Sequence, residues 1–312
     1  MNENIWILTS ANAVTIATTL ILAALGALFT ERSGVLNLGV EGILLTSAIS
    51  SFLAADSTGS IWIGLVVGTV VGSLLSSIHA TLTVILRANQ IVSGLALVIF
   101  GTGLANFLGK PAEGRTVTTI IEPIRLGPLS DIPVIGPILF TQDIITFGTI
   151  AFAVACAWFL FRTRPGLELR ATGDDPATVD AQGLSVSGIR IRYTMFGGAL
   201  IGLGGSWHML AQSAAWHQAA TTNGIGWIAL ALVVFAGWHP VRLIFGAILF
   251  GFCLRLPFTL QAEQITFIPS AFMQMLPYLA TLIALIALSR PGSKNLRGAP
   301  KALGNPFVRD ER

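Results

Sequence analysis

The residues able to do chemistry in this 312-residue chain are few, and most are gathered in one stretch. Between Arg162 and Arg192 an otherwise apolar pattern breaks into charged and turn-forming residues. Within it, Asp174-Asp175-Pro176, then Ala177-Thr178-Val179-Asp180-Ala181-Gln182 and Gly183, reads as a two-turn helix. Asp175 suits the N-cap, Pro176 the first helical position, and Gly183 the left-handed stop. Arg170, Asp174 and Asp180 supply polar contacts around it. A free two-turn helix is unstable in water, so packing against a partner is expected to complete it. The plain alternative is an ordinary loop with good turn residues. What such a helix offers is mechanical, a grip for another protein.

Other polar residues are scattered through apolar runs. Glu31, Asn37 and Glu41 surround the start of one such run, where ionisable groups are costly and face a bundle interior. Gating or packing suits them better than solute contact. Asn89, Gln90 and Asn106 bracket another run, and Trp207 and His208 end a third. Amides and rings of this kind can line a path for a neutral, ring-bearing solute, although Trp also serves as an interfacial anchor.

Several chemistries lack their residues. No G-x-x-x-x-G-K-[ST] loop is present, and Gly109-Lys110-Pro111 has neither its spacing nor its hydroxyl, so ATP hydrolysis by that route is excluded. No metal-ligand spacing and no nucleophile elbow occur. No catalytic residue and no metal site are expected. Cys156 and Cys253 lie in apolar runs and behave as small hydrophobes. The histidines His79, His208, His217 and His239 are too dispersed to favour a membrane enzyme, and the scarcity of acidic residues within the apolar runs counts against an ion-coupled secondary transporter, which stays as the alternative.

The elements that must position these residues are membrane helices. Hydrophobic residues make up 53% and charged residues 11%, against about 25% charged in a soluble domain, so the chain must meet lipid. Mean hydropathy is +0.76. Apolar runs fall at 5–29, 35–55, 61–86, 91–109, 142–161, 193–212, 224–239, 241–257 and 269–289, which predicts an all-α polytopic protein of about nine transmembrane helices. The run 224–257 is ambiguous, because Gly237 and Pro240 can divide it differently or make part of it re-entrant. The opening Met1-Asn2-Glu3-Asn4 has no basic region and leads into an apolar stretch too long for a signal-peptide core, so a retained span is expected.

Charge orients the bundle. With 162–192 cytoplasmic and the spans alternating, the inner ends carry Arg32, Arg87, Arg162, Arg164, Arg170, Arg190, Arg192, Arg242, Arg290, Lys294, Arg297, Lys301, Arg309 and Arg312. The outer ends carry Lys110, Arg115, Arg125 and Arg255. The positive-inside bias then places the N-terminus outside and the C-terminus in the cytoplasm, which also explains the net charge of +3 without nucleic acid. Residues 1–289 form one transmembrane domain. The outer loop 110–141, dense in Pro and Gly, is expected to cap the external face. The basic tail 290–312 is expected to be disordered and to lie against anionic lipid. Gly64, Gly68 and Gly72, and the glycines Gly197, Gly198, Gly202, Gly204 and Gly205, suit close helix packing.

Three motifs carry a family resemblance over nearly the whole chain. Arg164 to Pro176, with Ala181 and Gly183, resembles the coupling loop of ABC-importer permeases of the branched-chain amino acid, ribose and nucleoside family. Glu31-Arg32-Ser33-Gly34-Val35-Leu36-Asn37-Leu38-Gly39-Val40-Glu41-Gly42 and Asn89-Gln90-Ile91-Val92-Ser93-Gly94-Leu95-Ala96-Leu97 resemble its simple-sugar and nucleoside branch. The chain departs from that branch at Asn223-Gly224-Ile225-Gly226-Trp227, where an Arg-Gly stretch is frequent, and at Trp207-His208 and Trp216-His217.

The resemblance implies a bundle like those of the ribose- and vitamin-B12-type (type II) importers, in a bacterial inner membrane. It implies a heterodimer with a second, related permease, an external solute-binding protein, and cytoplasmic ABC ATPases that consume ATP and Mg while this chain binds no cofactor. Arg170, Gly173, Asp174, Asp175, Pro176, Ala181 and Gly183 would then meet the ATPase. A nucleoside is the expected solute, with a simple sugar or a riboflavin-like ring compound as alternatives.

Overall fold

Thirty residues from Glu3 to Arg32 form one unbroken helix, α1, against which several of the later helices pack. The computed structural model describes residues 3–116, 121–213, 215–263, 275–288 and 298–308, together with Phe272. The expected start of the ninth span at 269–271 and residues 290–297 and 309–312 of the tail lie outside the described residues.

After α1 come α2 (Val40–Thr58), α3 (Ile61–Ala80, prolonged by a π-helical turn Thr81–Ile85) and α4 (Gln90–Gly109). The outer loop holds α5 (Ile135–Leu139) and a two-stranded antiparallel ribbon, β1 (Ile124–Arg125) with β2 (Thr141–Gln142). Then follow α6 (Ile144–Arg162), α7 (Arg164–Asp174), α8 (Pro176–Ala181) and α9 (Val186–Trp207), the last continued by a π-helical turn His208–Ser213. Helices α10 (Ile225–Phe235), α11 (Pro240–Ala262) and α12 (Leu276–Leu288) follow, before the described segment 298–308. Among the described residues, α1, α3, α4, α6 and α11 are long and apolar enough to cross a membrane.

Sequence spacing on α3 explains how the bundle orients. Trp62, Val66, Val70, Leu74 and Ile78 recur every four residues and are exposed. Gly64, Gly68 and Gly72 recur at the same interval, two residues out of phase, and so lie on the opposite side. A Cβ on Gly72 would strike Gly198 and Gly202 of α9, and one on Gly68 would strike Ser206 of α9 and Ser47 of α2. Lipid gives no hydrophobic drive for helices to associate, so this backbone proximity is what binds them. Exposed Ile99 and Phe107 on α4 and Val154 and Trp158 on α6 continue the apolar outer face.

Three expectations change. The stretch 224–239 is not one spanning helix. Helix α10 has 11 residues, about 16 Å long at 1.5 Å per residue, half of a ~30 Å hydrocarbon core. Gly224 and Gly237 take positive φ at its ends and break it there. Helix α2 starts at Val40, not near residue 35, because Gly34 turns left-handed and 33–39 run non-helically. That backbone is paired from the side: the Leu36 N–H donates to Gln90 Oε1 (2.6 Å), and the Leu36 carbonyl meets His79 Nε2 (3.1 Å). Buried non-helical chain requires such partners.

The third change concerns the tail. Gly298–Val308 is not a disordered strand beside lipid but packs on the bundle. Ala302 N–H donates to Gly173 O (2.8 Å) and Gly304 N–H to Gly34 O (3.3 Å). Pro300 is buried, and Ala299 and Leu303 join the main apolar core. Gly298 lets the segment lie flush against the Gly237 carbonyl, where a Cβ would come within 2.5 Å.

Candidate functional site

Two regions stand out, at opposite ends of the bundle. At one end lie Arg32–Gly34, α7, α8, Arg190, Trp238 and the 298–308 segment. At the other lie Asn12, Asp56, Arg115, Gln142 and Thr259, joined by contacts such as Arg115–Asp56 (2.9 Å) and Gln142 Nε2–H to Ala11 O (3.2 Å).

The first region is built around α8, the capped helix read from the sequence. Asp175 leaves helical geometry (φ −148°, ψ 83°) and accepts the Thr178 N–H (3.2 Å) and hydroxyl (2.5 Å). These hydrogen bonds, the hydroxyl's first, hold its carboxyl below the usual carboxylate range, with Lys301 adding a little. Pro176 opens the helix, and Gly183 closes it at φ +82°, its N–H donating to Asp180 O (2.9 Å). Val179 is buried, whereas Ala177, Thr178, Ala181 and Gln182 are exposed.

The sequence reading missed α7, which precedes α8 directly. Thr163 caps it by accepting the Gly166 N–H (3.2 Å), and Arg164-Pro165 at its start carries the recognisable entry signal. Helix α7 turns two expected partner contacts inward. Arg170 Nε–H donates to Leu160 O (2.9 Å), and the guanidinium lies over the Phe161 ring (5.2 Å), whose other neighbour is His239 (4.9 Å, stacked). Gly173 is buried where a Cβ would strike Arg32 O and Pro300. Both residues join α7 to the bundle, while Asp174, Asp175, Ala181 and Gly183 remain on the exposed side.

Nearby, Glu31 Oε2 accepts the Trp238 Nε1–H (2.6 Å), and Arg32 Nη2–H donates to Trp238 O (2.9 Å). The α10–α11 turn is thus fixed to the same end of α1.

The second region is a groove of about 490 Å³ between α1, the π-helical end of α9, the 220–225 stretch and α11. Asn12, Thr15, His208, Gln212, Thr221, Asn223, Arg255 and Phe258 set its character. Gln212 Nε2–H donates to Thr15 O (2.7 Å) and Thr19 Oγ1 (3.1 Å), which leaves its Oε1 to His208 Nδ1 (2.8 Å). His208 Nε2 meets Thr221 O at 2.8 Å. Arg255 lies over the Phe258 ring (5.7 Å). The positive charge missing from 223–227 is therefore present on the same groove, contributed by α11. A second cavity of about 650 Å³ shares Asn12, Thr15 and Ala211 and reaches Trp207 and the outer loop at Ile121, Pro123 and Pro137.

Of the expected pathway residues, His208 and Trp207 line these cavities, and Asn37, Glu41, Asn89 and Gln90 hold backbone within the bundle. Asn37 Oδ1 accepts Gly39 N–H (2.8 Å) and Asn89 Oδ1 caps α4 through Val92 N–H (3.1 Å). Gln90 holds Leu36 as above, and Asn106 lies on α4 and lines neither cavity. Glu41 braces the groove from behind: its carboxylate accepts Thr222 Oγ1–H (2.6 Å), Gly224 N–H (3.1 Å) and Gly226 N–H (2.6 Å). The groove residues Asn12, Gln212 and Arg255 carried one usable signal, polarity inside apolar runs.

Comparison with known proteins covers both regions. The family described as "Branched-chain amino acid transport system / permease component" matches residues 9–286. The chain is 36% identical to the putative glucose ABC transporter permease protein TsgC13 of Haloferax volcanii, over 94% of this chain and 95% of that one. It is 36% identical to the nucleoside ABC transporter permease protein NupC of Lactococcus lactis subsp. cremoris, over 96% of each. Identity is also 36% to the guanosine ABC transporter permease protein NupQ of Bacillus subtilis, over 95% of each. The same Lactococcus lactis has a more distant relative, the nucleoside ABC transporter permease protein NupB, 25% identical over 74% of this chain and 67% of that one. No solved structure matches.

Proposed function

The chain belongs to the permease family of branched-chain amino acid transport systems, and we propose that it carries a nucleoside inward as one half of an ATP-driven importer. The observation that carries this reading is the pairing of a lipid-incompatible groove at one end with an exposed, capped helix at the other. Asn12, Gln212, His208, Asn223 and Arg255 are too costly to turn toward hydrocarbon. Their face meets a water-filled path, shared with a second, related permease. The Lactococcus lactis pair of nucleoside permease proteins supports a heterodimer.

In this reading residues 1–289 form one transmembrane domain, with nine membrane segments in the type II manner and α10 as a half-span. The N-terminus and the groove are outside, while α8 and the C-terminus are cytoplasmic in the cell membrane. A separate ABC ATPase, using ATP and Mg, grips α8 at Asp174, Asp175, Pro176, Ala181 and Gly183. An external binding protein delivers solute over the outer loop. The Arg255–Phe258 plate suits the face of a nucleobase, and the surrounding amides and hydroxyls suit its ring edge and sugar. A simple sugar, which TsgC13's name supports, would use the amides and hydroxyls but not the plate.

The test is ATP-dependent uptake in proteoliposomes that hold this chain, its permease partner and the ATPase. Nucleoside uptake should fall about five- to thirtyfold in Arg255→Ala, the loss of a stacking contact worth about 1–2 kcal/mol. Hexose taken up in preference to nucleoside, with Arg255→Ala indifferent, would favour the sugar. Uptake driven by an ion gradient without the ATPase would refute the importer reading.

A further inference from the structure

Helix α8 is joined to the membrane bundle by two covalent links, and both are bends. Asp175 separates it from α7 at φ −148°, ψ 83°, and Gly183 separates it from α9 in the left-handed region. Only Val179 among its six residues is buried. A push on so small a helix through two bends is easily absorbed locally and lost. What spans the bends is the segment Gly298–Val308. Lys301 lies within electrostatic reach of Asp175 at the start of α8, and Phe307 lines a recess with Asp180, Gly183 and Leu184 at its end.

The segment is also tied to four other parts of the bundle. Ala302 N–H holds the Gly173 carbonyl at the end of α7 (2.8 Å), with Pro300 against Gly173 itself. Gly304 N–H holds Gly34 beyond α1 (3.3 Å). The buried Arg190 of α9 donates from Nη1 to Asn305 O (3.0 Å) and from Nε to Ser33 O (3.2 Å), so one guanidinium links α9, the end of α1 and the segment. Gly298 lies against the Gly237 carbonyl in the α10–α11 turn.

We infer that Gly298–Val308 is a strap that stiffens the joint, so that displacement of α8 reaches α1 and α9 together instead of being taken up at Asp175 and Gly183. This rests on the reading of α8 as the helix gripped by the ATPase. The segment does not touch solute and need not touch the ATPase; it positions the parts that do.

Two variants test it in the full complex reconstituted in proteoliposomes. One ends the chain at Arg297. The other is Gly304→Val, which adds strain at φ +81° where a Cβ meets nothing within 4 Å, and so loosens the strap without a clash. The expected result is that both retain the ATPase on purification and still hydrolyse ATP, while solute moved per ATP falls by about fivefold or more. Unchanged coupling in Gly304→Val overturns the strap, including the case where the shortened chain fails to fold. Loss of the ATPase from the purified complex also overturns it, because the segment would then be a docking contact. The unaltered complex is the control: absent ATP-driven uptake there counts against the importer reading and leaves the strap's hydrogen bonds unexplained by it.

Discussion

At Glu41 a carboxylate sits 8% exposed inside the bundle, and the donors that satisfy it are Thr222, Gly224 and Gly226. Two are backbone N–H groups where α10 begins, and a helix N-terminus favours a negative charge. Glu41 therefore fixes where a half-length helix starts and, with it, the wall of the groove. Glu41→Ala leaves buried donors without an acceptor, so it should destabilise the protein by about 3 kcal/mol or more. A thermal unfolding series in detergent would read this as a clear drop in midpoint, and an unchanged midpoint would remove Glu41 from this role. Asp175 makes a different kind of prediction. Its carboxyl is held below the ordinary range, so the stabilisation from ionisation is present above that range and is lost only as pH falls through the depressed value. Uptake should show no inflection from this group between about pH 5 and pH 8. Asp175→Asn should keep the cap and function, and Asp175→Ala should lose both.

Among elements, the interface of α3 and α9 is the clearest case of a pattern becoming a contact. Gly72 and Gly198 face each other with no room for a Cβ on either, whereas Gly103 on α4 has nothing within 4 Å. Gly72→Val should force the backbones apart, at a cost of about 1–3 kcal/mol or more, and Gly103→Ala should be silent. The yield of monodisperse protein after extraction compares them, and equal yields would contradict close packing. The same comparison shows what was legible in advance. Glycine spacing, the α8 cap and the helical stretches follow from local rules of period and capping. The break at Gly34 was not legible, because its backbone partners, Gln90 and His79, come from distant helices, and nor was the bracing of Gly224 and Gly226 by Glu41. Nor was the inward turn of Arg170, since Arg-rich loops are usually solvated and Phe161 is recognisable as a platform only once folded. The tail misled for the same reason: its composition suits disorder, while its binding sites at Gly173 and Gly34 belong to other parts of the chain.

For the whole molecule, exposed apolar stripes on α3, α4 and α6 and a polar groove between α1, α9 and α11 divide the surface into an apolar side and a polar side, the latter being the pathway in the proposed reading. The capped helix and the strap lie at the opposite end from the groove, with α1 running between them. A conformational signal thus has one long, largely buried helix to travel along. The most direct measurement is ATP-driven uptake by the reconstituted complex carrying Gly183→Pro, normalised to inserted protein. Proline fixes φ near −65°, against +82° here, so α8 cannot keep its present angle to α9. Normal insertion with uptake reduced at least about tenfold is the expected result. Uptake equal to that of the unaltered complex would contradict the claim that force enters the bundle at α8.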